Sequence, residues 1–253
     1  MTANTNFSGD DKLVIYGRQP VLEALRSGAK IQRLWMVRES TGPGIGLIKK
    51  LAENRKVEIE MVMHDSIQRH VGSVVHQGVA ASVQAQFFAP DSELPALLSG
   101  DGPVLIVVLD QVQDTHNLGA ILRTAEIAGV TLVAFHEKGS APINATTVKT
   151  SAGAIFNSRL YRIADYESFF NQLRSAGVRI LATMPANGAE LYRTDLSGRI
   201  AIMIGNEGYG VRKNLLPYCD QTVVIPQYGK TNSLNASVSL AIVLYEAIRQ
   251  RNF

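Results

Sequence analysis

The sequence predicts an α/β protein whose main sheet is mostly parallel. Ile200–Ile204 and Thr222–Ile225 are short, uncharged, β-branched runs, the pattern of strands buried on both faces. They stop at breakers, Gly205 and Pro226. From Pro103 the chain alternates strand and helix patterns. Val104–Leu109 is apolar and ends at Asp110, and Leu118, Ile121, Leu122 and Ala125 recur at helical spacing until Gly129. Thr131–Phe135 is apolar again. Open α/β sheets bind ligands just past such strand ends. Here those residues are Gly-Asn-Glu-Gly-Tyr-Gly (205–210) and Pro-Gln-Tyr-Gly-Lys-Thr-Asn-Ser-Leu-Asn (226–235), small and polar, with Glu207 the single carboxylate in the first set.

Taken in order, residues 1–11 read as a disordered polar tail without the basic-then-apolar order of a secretory signal. Residues 12–88 read as a small α/β unit. Leu13–Tyr16 and Ile31–Val37 are strands around a helix at Gln19–Ser27, and Leu47–Asn54 is helical. A strand at Val57–Val62 follows, and the alternating Gly78–Phe87 closes the sheet. Pro90, Pro95, Gly100 and Gly102 mark a linker over 89–102. The second domain is 103–253: after the βαβ come a short helix at Asn144–Thr150, the segments Tyr166–Ala176 and Val178–Thr183, the two strands above, and a final amphipathic helix at Ala236–Arg251.

Composition narrows the classes. The 253 residues are 46% hydrophobic, enough for a sizeable core, yet no apolar run approaches the ~20 residues of a membrane span. The single cysteine, Cys219, excludes an internal disulfide and a multi-cysteine metal site, and suits a reducing cytoplasm. Residues 1–88 hold 11 Lys/Arg against 8 Asp/Glu, whereas 89–253 hold 14 of each, so the positive excess is N-terminal. Lys30, Arg33, Arg38, Lys49, Lys50, Arg55 and Lys56 form a plausible footprint for a polyanion or, as plausibly, a solvated helix face.

Several familiar sites fail. Gly229-Lys230-Thr231 lacks the glycine a P-loop needs at Val224, and 205–210 has the wrong spacing for a dinucleotide fingerprint. No Gly-x-Ser-x-Gly is present. His64, His70 and His76 recur every six residues, which neither a helix nor a strand gathers on one face, so they read as surface or structural groups. What remains is the junction after the 104–109 strand. Asn117 is a cap candidate, Gly119 admits a close approach, and Arg123 projects from a mostly apolar helix.

Asn117-x-Gly119-x-x-x-Arg123-Thr124, Gly205-Asn206-Glu207-Gly208-x-Gly210, Ile225-Pro226 and Ser233-Leu234-Asn235-x-Ser237 resemble the three signature motifs of the SpoU (TrmH) family, RNA ribose 2′-O-methyltransferases of the SPOUT class. Ile15-Tyr16-Gly17-Arg18, Val75-His76-Gln77-Gly78-Val79-Ala80, Asn144-Ala145-Thr146 and Ser151-Ala152-Gly153-Ala154 resemble the members that modify a guanosine of large-subunit ribosomal RNA. The resemblance covers about residues 13–251 and implies a catalytic domain with a deep trefoil knot, a feature physical priors disfavour. It also implies a homodimer, S-adenosylmethionine in the knot, and an N-terminal RNA-binding domain of the L30e type. It implies no metal and no membrane. A transfer-RNA methyltransferase and a non-catalytic RNA-binding module are the alternatives.

By the same resemblance Thr183, Gly205, Ile225 and Leu234 hold the cofactor, and Arg123, Asn117, Glu207, Ser233 and Asn235 form the catalytic set. The family often assigns the residue matching Arg123 as the base. A guanidinium has no acceptor lone pair, and neutralising it near pH 7 costs about 7 kcal/mol. An electrostatic role, gripping a phosphate and stabilising a developing alkoxide, is more economical. Asn117 orients Arg123 or the ribose. Glu207 holds the RNA or a donor, or caps a helix over Val211–Leu216. Asn235 and Ser233 also fit caps of the last helix. His116 has the better pKa for a base, and Tyr209 and Tyr228 are stacking candidates.

Overall fold

Alternating side chains on each central strand point to opposite faces, and here both faces are covered. A computed structural model describes residues 12–206, 208–231 and 233–252. The tail at 1–11 and Glu207 lie outside the described residues. By contacts the chain divides into two compact units, Met1–Phe87 with Pro142–Asn157, and Phe88–Ala141 with Ser158–Phe253.

The first unit holds strands β1 (Lys12–Tyr16), β2 (Ile31–Val37), β3 (Ile59–Val62) and β4 (Val79–Gln84) in the order β1-β4-β2-β3. Only β2 and β3 run parallel. Helix α1 (Arg18–Arg26) buries Val21, Leu22 and Leu25, and α2 (Ile45–Asn54) buries Ile45 and Ile48. Arg55 donates to the carbonyls of Ala24, Leu25 and Ala29, so a cation meets the negative end of α1. Arg18 likewise donates to the Gln77, Pro43 and Thr41 carbonyls. Helix α3 (His64–Val71) was not anticipated. Only Ile67 is buried along its eight residues, too little apolar stripe to register as a periodicity.

Tertiary packing also rearranges the histidines. The His64 and His76 rings lie 4.4 Å apart, and His70 stacks on Trp35 at 4.4 Å. Burial, then the neighbouring His64, pushes the His76 pKa down.

The segment 142–157 belongs to this unit by its contacts. Asn144 caps the helix at Ala145–Thr150 (α6) by accepting from the Thr147 N–H at 3.0 Å. Gly153 packs on α1 so closely that a Cβ there would meet the Glu23 Cβ at 2.7 Å.

The second unit is built on seven strands: β5 (Leu105–Leu109), β6 (Leu132–Phe135), β7 (Leu160–Arg162), β8 (Arg179–Met184), β9 (Ala189–Glu190), β10 (Ile200–Ile204) and β11 (Gln221–Val224). Their order is β7-β6-β5-β10-β8-β11-β9, with every pair parallel. One face packs on α7 (Tyr166–Ser175) through Ile106, Val108, Ile180, Ala201 and Met203 against Phe169, Phe170 and Leu173. On the other face α5 (Thr115–Ile127) and α8 (Ala236–Asn252) pack together.

Two expectations are corrected. The stretch that composition marks as linker contains α4 (Glu93–Leu98), whose Leu94 and Leu98 join the core of this unit. Prolines at 90 and 95 flank or enter its first turn, where they are tolerated. No helix covers Val211–Leu216. That segment turns, and a short 3-10 turn follows at Leu216–Tyr218.

Candidate active site

The strand order reverses at β5: β6 and β7 lie on one side, β10, β8, β11 and β9 on the other. The carboxyl ends beside such a reversal leave a crevice. A cleft opens at the carboxyl ends of β10, which borders the reversal, and of its neighbours β8 and β11. Thr183, Met184 and Pro185 line it at the end of β8, and Ile204, Gly205, Asn206 and Gly210 at and past the end of β10. Ile225 and Gln227 follow β11, and Ser233, Leu234 and Ala236 lead into α8. All four residues assigned to the cofactor, Thr183, Gly205, Ile225 and Leu234, therefore meet at one place, and Ser233 joins them.

The lining suits a nucleoside bearing a zwitterionic tail. Ile204, Ile225, Leu234 and Met184 give apolar walls, and Asn206, Gln227 and Ser233 give neutral polar groups. No charged side chain lines it among the described residues. Thr183 is 8% exposed and its hydroxyl donates to the Met203 carbonyl at 2.9 Å, so the hydroxyl hydrogen is spent within the sheet. Its contribution to the cleft is its wall and its remaining lone pair.

Asn117 does not cap α5. Asp114 does, accepting from the His116 and Asn117 N–H groups at 3.2 and 3.1 Å. Asn117 instead links elements: its Oδ1 accepts from the Asn235 Nδ2 at 2.9 Å. The Asn235 Oδ1 meanwhile accepts from the Ser237 N–H at 2.9 Å, capping α8. The expected cap at Asn235 is thus present, while Ser233 faces the cleft instead.

Arg123 is exposed on α5. Six residues of helix place it roughly 120° around the axis from Asn117 and about 9 Å along it. No carboxylate pairs with it among the described residues, so its charge is available to a ligand. His116 is exposed and donates its N–H to Asp114. Tyr228 is 96% exposed, whereas Tyr209 is half-exposed and donates to the Gln111 Oε1 at 2.6 Å.

Sequence reading passed over Asp110, Gln111 and Arg212. Asp110 is fully buried and pairs with Arg212 at 2.7 Å. Its one signal was its position as the first charge after an apolar strand. Met184, Pro185 and Gln227 line the cleft without any signal but their place at a strand end, whereas Asn206 stood inside a quoted motif without being assigned a role.

The fold and cleft define an α/β protein that binds a nucleoside-like ligand at the carboxyl ends of a parallel sheet. Comparison with known sequences makes this specific. Residues 104–245 match the SpoU rRNA Methylase family, and residues 14–89 match the family described as RNA 2'-O ribose methyltransferase substrate binding. The chain belongs to the SpoU rRNA methylase family.

It is 37% identical over 213 residues to the 23S rRNA (guanosine-2'-O-)-methyltransferase RlmB of Xanthomonas campestris, covering 84% of this chain and 86% of that one. It is 31% identical over 240 residues to RlmB of Escherichia coli K12, covering 94% and 99%. The AdoMet-bound rRNA methyltransferase of Sinorhizobium meliloti superposes with a TM-score of 0.78 at 28% identity, covering 94% of this chain and 87% of that one.

Proposed function

We propose that this enzyme methylates the ribose 2′-hydroxyl of a guanosine in 23S ribosomal RNA, with S-adenosylmethionine as methyl donor. The observation that carries the reading is the convergence of three separate stretches, 204–210, 225–227 and 233–236, on one neutral cleft at the strand ends. The curated relatives named above act on that class of nucleotide, and the N-terminal match supports an RNA-contacting unit.

S-adenosylmethionine supplies an electrophilic methyl on a sulfonium. Thr183, Gly205, Ile225 and Leu234 bind its nucleoside through apolar walls and backbone groups. Asn117 and Asn235, joined to each other, fix the starts of α5 and α8 where the ribose must arrive. Arg123 grips a phosphate beside the target ribose and stabilises the alkoxide forming at its 2′-oxygen, while the proton leaves to phosphate or water. Ser233 and Glu207 complete the set.

The N-terminal unit contacts the RNA. Lys30, Arg33, Arg38, Lys49, Lys50 and Lys56 are exposed there and make no ion pair among the described residues. Such free cations suit phosphates. The active form is a homodimer: Ile127 on α5 and Val238 and Tyr245 on α8 are 61%, 47% and 52% exposed, an apolar face on two packed helices. Its catalytic unit is knotted and its compartment is the cytoplasm.

The test is transfer of labelled methyl from S-adenosylmethionine to transcribed 23S RNA and to bulk transfer RNA, with Arg123→Ala alongside. Label on 23S RNA at one alkali-resistant linkage, lost in the variant, supports the reading. Label on transfer RNA alone keeps the chemistry and overturns the substrate.

A further inference from the structure

One buried carboxylate lies under the loop between β10 and the 3-10 turn at Leu216–Tyr218. The Asp110 N–H donates to the Ile204 carbonyl at 2.9 Å, which is the residue entering the loop. Its carboxylate accepts from the Arg212 N–H at 2.8 Å and the Arg212 Nε at 2.7 Å, the residue leaving it. A single residue therefore holds both ends of the 205–211 loop. Asp110 is fully buried, so both bonds form where water does not compete. The Arg212 Nη2 donates onward to the Tyr166 hydroxyl at 3.2 Å, and its guanidinium lies 5.4 Å from that ring. This is a cation consumed by structure rather than one presented to RNA.

The tip of the loop has its own tie. Gln111 adopts a left-handed backbone, φ 57°, and its side chain accepts from the Tyr209 hydroxyl at 2.6 Å. Within the loop, Asn206 and Gly210 exchange backbone bonds at 3.0 and 2.8 Å. Neither Gly205 nor Gly210 leaves room for a side chain. A Cβ on Gly205 would fall on the Gly210 carbonyl, and one on Gly210 would meet the Pro185 Cδ at 2.9 Å. Gly205, Asn206 and Gly210 are the residues of this loop that wall the cleft.

We infer that Asp110 is a positioning residue for the cofactor cleft, acting through Arg212 on the 205–211 loop, with Gln111 fixing the tip through Tyr209. The inference rests on the cofactor reading of the cleft. Asp110 touches no substrate. It sets the distance between the Asn206–Gly210 wall and the residues after β8, and the same loop carries Glu207.

The test is Asp110→Asn in the full chain, which keeps the shape and backbone bond but removes the charge and one of the two acceptors facing Arg212. Calorimetry gives the Kd for S-adenosylmethionine, and amide hydrogen exchange of the cofactor-free protein gives loop order. Asp110→Asn raises the Kd about tenfold, with the KM for the cofactor following and kcat at saturation within about twofold. Amides of 206–212 exchange faster, while β5 and β10 keep their protection. Tyr209→Phe, which removes one hydroxyl, raises the Kd about threefold and loosens the same amides.

A folded Asp110→Asn with wild-type Kd and loop exchange overturns the inference. So does faster exchange spread evenly over the unit, which marks general destabilisation. Should Asp110→Asn fail to fold, Tyr209→Phe with wild-type Kd and exchange overturns it. If the wild type binds no S-adenosylmethionine, the functional reading fails, and loop exchange in the variants still decides what Asp110 holds in place.

Discussion

Asn235 divides its side-chain amide between two elements, its oxygen capping α8 and its nitrogen reaching Asn117. Asn117→Ala and Asn235→Ala each remove the link and cost about 1 to 2 kcal/mol in urea unfolding, Asn235→Ala more because it also removes the cap. The double variant costs less than the sum of the two, because the shared bond is counted once. Strict additivity in that cycle would show that the pair is not coupled. Arg123 is a different case, an exposed cation that pairs with no carboxylate among the described residues. Arg123→Ala lowers kcat about 100-fold or more with an unchanged melting temperature and unchanged S-adenosylmethionine Kd. Arg123→Lys restores little if a bidentate fork on phosphate is required, and near-normal turnover would refute the fork. At Cys219, burial pushes the thiol pKa up to about 11, so alkylation at pH 8 is slow and accelerates on unfolding. Rapid labelling of the native protein would contradict the packing of that thiol beneath Leu215 and Met203.

At the scale of elements, α8 is fastened at both ends. Near its end Arg251 donates to the Leu196, Val104 and Gly198 carbonyls, and Gln250 donates to the Thr194 carbonyl. Between them the Arg249 and Gln250 side chains hold the Glu246 carboxyl down to about 2. A depressed carboxylate pKa adds stability above its unfolded value, near 4.3, and that stability is lost as pH falls toward 2. The melting temperature of Glu246→Gln therefore lies below wild type at pH 7, and the gap closes between about pH 4.5 and pH 2. A gap that is constant across that range would remove charge from the explanation.

Element reading of the sequence succeeded where burial is periodic and failed where it is local. β2 and β10 have the expected bounds, β10 because its apolar run is continuous and β2 because Leu34–Val37 carries enough of one. α3 and α4 escaped because each is short and buries only one or two side chains. The two-residue β9 escaped for lack of any pattern at all.

Across the whole molecule, the exposed face of Ile127, Val238 and Tyr245 makes a specific demand. The proposed dimer predicts a light-scattering mass twice that of the chain, reduced to a monomer's by Val238→Lys with Tyr245→Lys. A wild-type monomer at micromolar concentration would leave that face without its proposed partner. The arrangement of the site was partly legible: motif residues past the strand ends marked where the ligand would lie, because parallel strands buried on both faces must present polar residues only at their ends. Thr183, Gly205, Ile225, Leu234 and Ser233 meet there. What sequence alone determined was the α/β class, the strand ends that form the cleft and the family. These follow from local hydrophobic pattern and from motifs contiguous in the chain. Only the tertiary structure decided that Asp114 rather than Asn117 caps α5, that Asn117 and Asn235 join across 118 positions, that 142–157 groups with the N-terminal unit, and that Asp110 closes the 205–211 loop onto Arg212. Each is a pairing of polar groups distant in the chain, and side-chain partners of that kind are chosen by the geometry of packing, which no local periodicity records.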